Sequence, residues 1–201
     1  MRPGTLRRRD QEAFDRLLDE LGGARVVLVS GDRARKRTAA AGLAAASAAR
    51  GRATAIVDCD LGQPTLAEDL GLARAPGLRE YLLGEVEAAR ILQPLALAGP
   101  GSGAARGPLV CVAGGRSAAN WTALLGSAGF RQAMAGLRDA NQLVVAEGPA
   151  LPLEEGLLSA LAAAADATIA CLGRPDEGAD GAGLPAAISG LVLQAAPAQR
   201  S

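Results

Sequence analysis

Apolar positions along this chain follow two rhythms. Between residues 10 and 21 they recur at Phe14, Leu17, Leu18 and Leu21, one face of a helix, with acids near its start. Gly22-Gly23 ends that helix. Val26-Val27-Leu28-Val29 is a continuous apolar run of strand length, as expected where both faces of a parallel sheet are covered. The basic stretch 30–38 reads as a loop, and the Ala-rich stretch from Arg37 to Arg50 as a helix closed by Gly51. A second strand spans Thr54 to Cys59.

Residues 65–92 read as short helices punctuated by Gly71, Gly77 and Gly84, and 98–108 as a flexible loop. A strand at Leu109–Val112, a helix at Ala128–Ala140 and a strand at Leu143–Val145 follow. The chain then reads as a helix from Glu154 to Ala165, with strands at Thr168–Leu172 and Leu191–Leu193. This alternation predicts an α/β fold, a doubly wound, mostly parallel sheet flanked by helices in a Rossmann-like three-layer arrangement. One domain over 1–201 is expected, with 1–9 a basic arm, 173–187 a Gly/Pro-rich flexible loop and 195–201 a tail. In such folds ligands bind outside the carboxyl ends of the strands. Three candidates fall there: the stretch 30–38, the pair Asp58/Asp60, and the turn Ala146–Pro149.

Composition narrows the chemistry. Apolar residues make up 49% but aromatics only 2%, so the core is expected to rest on small aliphatic contacts. Histidine is absent, which removes imidazole bases, histidine zinc ligands and the usual catalytic triads. Cys59, Cys111 and Cys171 are far apart in apolar stretches and read as buried thiols rather than a disulfide framework or zinc knuckle. The formal net charge is zero, so no overall field draws in nucleic acid, and no nucleic-acid partner is expected despite Arg7-Arg8-Arg9 and the 33–37 run. Met1-Arg2-Pro3-Gly4 has no apolar core of a secretory signal, which points to a cytoplasmic location.

The stretch Ser30-Gly31-Asp32-Arg33-Ala34-Arg35-Lys36-Arg37-Thr38 occupies the place of a Gly-x-x-x-x-Gly-Lys-Ser/Thr phosphate loop. Such a loop wraps phosphates with backbone amides, reaches them with Lys and holds Mg²⁺ with its hydroxyl. Counted back from Asp58/Asp60, Lys36 takes the lysine position, Arg35 replaces the last glycine and Arg37 the hydroxyl. Aligned on Gly31 instead, Arg37 takes the lysine position, Thr38 keeps the hydroxyl and Lys36 stands where glycine belongs. The first register is preferred because, of 21 cationic residues, 20 are Arg and the single Lys falls here. In either register a β-carbon in a nest needing left-handed backbone costs roughly 1–2 kcal/mol, while Arg35 and Arg37 could grip phosphate oxygens directly.

Four stretches together resemble the cytoplasmic kinase domain of the bacterial exopolysaccharide and capsule tyrosine kinases, a branch of the MinD/ParA-like P-loop ATPases. These are Glu12-Ala13-Phe14, Asp58-Cys59-Asp60-Leu61-Gly62-Gln63-Pro64, Gly77-Leu78 through Gly84-Glu85 with Gln93-Pro94, and Ala113-Gly114-Gly115 through Asn120, Leu124-Leu125, Ser127 and Phe130-Arg131. The resemblance implies ATP and Mg²⁺ as ligands, and catalytic and metal roles for Asp58 and Asp60. Gly31, Arg35, Lys36, Arg37 and Thr38 would be the nucleotide-binding positions. As partners it implies a membrane polysaccharide co-polymerase or export protein, at the inner face of the membrane, and homo-oligomers. The chain also departs from the family. Ala146 replaces the third acid, and Glu147 beside it should point to the other side of its strand. The tail lacks a tyrosine cluster, Tyr81 being the only tyrosine, and the expected Glu-x-x-Arg-x-x-Arg of the first helix reads Glu12, Asp15, Leu18. A degenerate, non-catalytic kinase-like module is therefore the leading expectation, with an active Arg-rich ATPase or kinase as the alternative.

Overall fold

The computed structural model describes residues 8–96, 107–150, 155–172 and 190–193. Its strands are β1 (Val26–Gly31), β2 (Thr54–Asp58), β3 (Leu92–Pro94), β4 (Leu109–Val112), β5 (Leu143–Glu147), β6 (Ala167–Leu172) and β7 (Gly190–Leu193). They form one sheet in the order β3-β4-β2-β5-β1-β6-β7. All neighbours pair in parallel except β3, which runs antiparallel to β4 at the edge. The helices are α1 (Arg8–Glu20), α2 (Arg33–Ala49), α3 (Leu66–Asp69), α4 (Leu78–Leu82), α5 (Trp121–Leu125), α6 (Ala128–Ala140) and α7 (Glu155–Ala162).

The expected α/β doubly wound class is what the chain adopts. Alternation along the strands sends side chains into two cores. Val27, Val29, Ile56, Val145 and Ile169 meet Phe14, Leu18 and Leu43 on the face covered by α1 and α2. Val26, Leu28, Val57 and Val144 meet Leu61, Leu78, Leu125, Phe130 and Met134 on the other. Burying a side chain of this size contributes about 1.5–3 kcal/mol, so the sheet is sandwiched rather than one-sided. All three cysteines are free and buried, their thiols pushed up by burial. Asp166 accepts the amides of Arg25 (2.8 Å) and Val26 (2.9 Å) and so fixes where β1 begins.

Two elements differ from the sequence expectation. The short helices are expected over 65–92, and no element is expected at 93–94; β3 is a three-residue edge strand ending in Pro94, too short to carry a strand pattern. α5 had no forecast. The expected loops 98–108 and 173–187 and the tail lie, apart from Gly107 and Pro108, outside the described residues, as do residues 1–7 of the basic arm. Among the described residues no helix is long and apolar enough to cross a membrane.

Candidate functional site

The carboxyl ends of β1, β2 and β5 meet the first turns of α2. β1 runs to Gly31 and α2 begins at Arg33, so Asp32 alone separates strand from helix. Gly31 has φ 136°, and a β-carbon there would run into the backbone of Cys171 on β6. Glycine is what allows this close approach and turn together. The Asp32 amide donates to the Cys171 carbonyl (2.9 Å), and its carboxylate caps the helix by accepting from the Arg35 amide (3.2 Å). A charge from the chain itself thus sits at the positive end of the helix dipole.

Three carboxylates converge beneath that turn. Asp58 and Glu147 are register partners on β2 and β5, so their side chains leave the same face of strands about 4.8 Å apart. Lys36 reaches down to them, and its side chain is 0% exposed. Its Nζ donates to Asp60 Oδ2 (2.9 Å) and to the Gly148 carbonyl (2.5 Å), and lies 3.4 Å from Glu147 Oε1. Arg37 Nε is 3.8 Å from the same Glu147 oxygen, while the rest of its guanidinium turns to Asp69 and Thr65. Asp58 accepts the amides of Asp60 (3.0 Å) and Leu66 (3.1 Å).

Burial governs the electrostatics. It pushes the Asp58 carboxyl up to about 7, helped by the neighbouring Glu147 charge and only partly opposed by the two amides. Glu147 is also raised by burial, with Lys36 and then Arg37 pulling it back. Glu147 Oε2, Arg37 Nε and Ser30 Oγ are buried without a hydrogen-bond partner. Removing one partner of such a cluster costs about 3–5 kcal/mol, because the others are stranded out of water.

The structure brings some of the expected site residues together and separates others. The stretch 30–38 is not a loop: from Arg33 onward it is the start of α2. Asp32 is a strong cap and Arg a good helix former, so helix forms where a phosphate loop is expected. Lys36 is committed to Asp60, Glu147 and Gly148. Arg35 pairs with Asp32 (3.3 Å) at the rim. Thr38 spends its hydroxyl on the Ala34 carbonyl (2.9 Å) one turn back, on the exposed side of the helix. Glu147, expected to point away, faces Lys36, and it is Ala146 that joins the opposite core. The alternation rule was right but its phase was not, since the sequence does not say which face α2 covers.

No protein-family model matches the sequence, and no curated protein matches it. Solved structures do. The kinase domain of VpsO superposes with a TM-score of 0.72 at 23% identity, over 94% of this chain and 93% of that one. The kinase domain of the Escherichia coli tyrosine kinase ETK gives 0.75 at 20% identity, over 95% and 77%. The Pyrococcus furiosus cell-division ATPase MinD gives 0.57 at 23% identity, over 84% and 71%. The chain has the fold of these kinase domains.

A phosphate loop in this kinase fold would lie between β1 and α2, where Asp32 alone now stands. The residues there do not fit Mg²⁺-ATP as such a loop holds it. The Arg35 amide at the helix start already has a carboxylate cap, and the lysine ammonium is buried among acceptors of the same chain. Both oxygens of Asp58 accept backbone amides, and Asp60 divides its own between Lys36 and the Gln63 amide (3.2 Å). Among the described residues no group of three or more acids or cysteines is arranged to hold a metal ion. Asp32 and Gly148 lie inside the candidate stretches 30–38 and Ala146–Pro149, where the sequence reading gives them no role of their own, and Glu147 is expected there to point away. Asp32 carried a legible signal as a capping residue directly ahead of a basic run.

Proposed function

We propose that this chain is a degenerate kinase-fold module that serves exopolysaccharide or capsule assembly as a regulatory partner rather than by phosphoryl transfer. Its partner would be the cytoplasmic part of a membrane polysaccharide co-polymerase or export protein, met at the inner face of the membrane. The observation that carries this reading is the junction of β1 and α2, where one residue replaces the loop that phosphates need. The surrounding framework is retained. Glu80, for instance, is buried and ties the Gly77 amide (2.8 Å) to the Arg116 amide (3.1 Å), joining α4 to the segment after β4. A framework kept while its phosphate cradle is lost suits a role in binding.

Calorimetric titration of the purified protein with ATP and ADP, with and without Mg²⁺, should give no saturable heat. Melting should not shift at millimolar Mg²⁺-ATP, whereas a ligand at 100 times its Kd would add about 2.7 kcal/mol. Mg²⁺-dependent hydrolysis that disappears in Lys36→Ala would overturn the proposal and favour an active, Arg-rich ATPase or kinase.

A further inference from the structure

Helix α2 does not need the Lys36 ammonium in order to form. It is capped by Asp32 and anchored through Ala39, Ala40 and Leu43 in the core. Burying an ammonium completely is costly unless it meets good acceptors, and this one meets three, held on two separate pieces of chain. Asp60 lies in the turn after β2, Glu147 ends β5, and Gly148 begins the turn beyond it. A compact ammonium with three donors suits three convergent oxygens. In a chain whose other 20 cations are all Arg, the single Lys is the one whose ammonium meets these three oxygens.

We propose that Lys36 is a built-in cation that does the bridging work of a bound ligand. It clamps the turn at 59–66 and the turn at 147–150 to α2, so the face these turns form is set without nucleotide. The inference rests on the reading of the chain as a module without turnover, and adds its regulation: the site is closed constitutively, by the chain itself. Two carboxylates (Asp60, Glu147) face Lys36 across the clamp, and Arg37 Nε stands 3.8 Å from Glu147. Losing the ammonium therefore leaves like charges facing one another.

The experiment compares wild type with Lys36→Met and with the triple variant Lys36→Met/Asp60→Asn/Glu147→Gln, by melting and by hydrogen exchange. Lys36→Met is expected to lower Tm by about 10 °C or more. The amides of Gln63, Leu66 and Gly148 should exchange faster in it, while those of β6 stay protected. The triple variant should regain most of the Tm, since no charge is stranded, yet keep the fast exchange in both turns, since no bridge remains. Should Lys36→Met fail to fold, the triple variant carries the test. Unchanged protection of the two turns in either folded variant, a triple variant no more stable than the single one, or a triple variant that also fails to fold overturns the clamp. Wild-type protein that binds Mg²⁺-ATP and gains protection in these turns would sink the non-catalytic reading instead. Wild type without ATP binding, alongside variants with wild-type exchange, would sink the clamp alone.

Discussion

Asp58 holds its proton to about pH 7 in the folded protein, against about 3.9 for an unfolded aspartate. The folded form therefore binds a proton that the unfolded chain has released. The contribution is complete below about pH 4, falls with a slope approaching one proton as pH rises, and is gone above about pH 7. Glu147, also raised, adds in the same sense. Glu80 and Asp166 act oppositely: burial works to raise both, but amide and arginine partners outweigh it, so their stabilisation is lost as pH falls. Urea midpoints between pH 4.5 and 8 isolate the first effect when wild type is compared with Asp58→Asn. Wild type should lose ground to the variant steadily up to about pH 7, and parallel curves would show an ordinary Asp58. The motif Asp58-x-Asp60 was legible in sequence, but its environment was not. That environment depends on Glu147 being its register partner across β5, and register is a tertiary property.

At the scale of elements, α2 decides most of what happens. Six of its nine buried residues are Ala or Gly, which lets α1 lie close: a β-carbon on Gly42 would enter the ring of Phe14. Alanine is a better helix former than glycine by about 1 kcal/mol, but forcing the buried ring aside costs about 1–3 kcal/mol. Gly42→Ala is accordingly expected to lower stability by about 1 kcal/mol net in chemical denaturation, and a gain in midpoint would refute the close packing. Most strands were legible because buried parallel strands are continuous apolar runs, and α6 because its periodicity and the Ser127 cap agree (Phe130 amide to Ser127 Oγ, 3.1 Å). The start of α2 was missed by four residues. Arginines carry no apolar rhythm, so only the cap at Asp32 marked the helix there. That small displacement changed the chemistry most, because it turned a presumed phosphate loop into helix.

For the whole molecule, the same packing bears on self-assembly. In a head-to-tail ring of the kind the family resemblance implies, side chains of the first helix would have to reach a neighbour. Of the two positions that the family resemblance would make basic, Leu18 is turned inward and Asp15 pairs with α2 at the surface. Leu18 is 3% exposed in the core beside Phe14. Asp15 accepts from Arg50 Nε (2.9 Å), and Asp19, one turn on, is bound by Arg50 Nη1 (2.5 Å). Half-exposed bridges of this kind contribute little stability, up to about 1 kcal/mol, so their main effect is to spend α1's acids on α2 rather than on another copy. Sedimentation velocity at tens of micromolar should therefore show a single species of about the 20.1 kDa chain mass, unaltered by Mg²⁺-ATP. Arg50→Ala releases both aspartates without supplying the cations a ring interface would need, so it should sediment as wild type does. A larger species that forms with nucleotide, or disappears in Arg50→Ala, would mean that α1 faces a second copy after all.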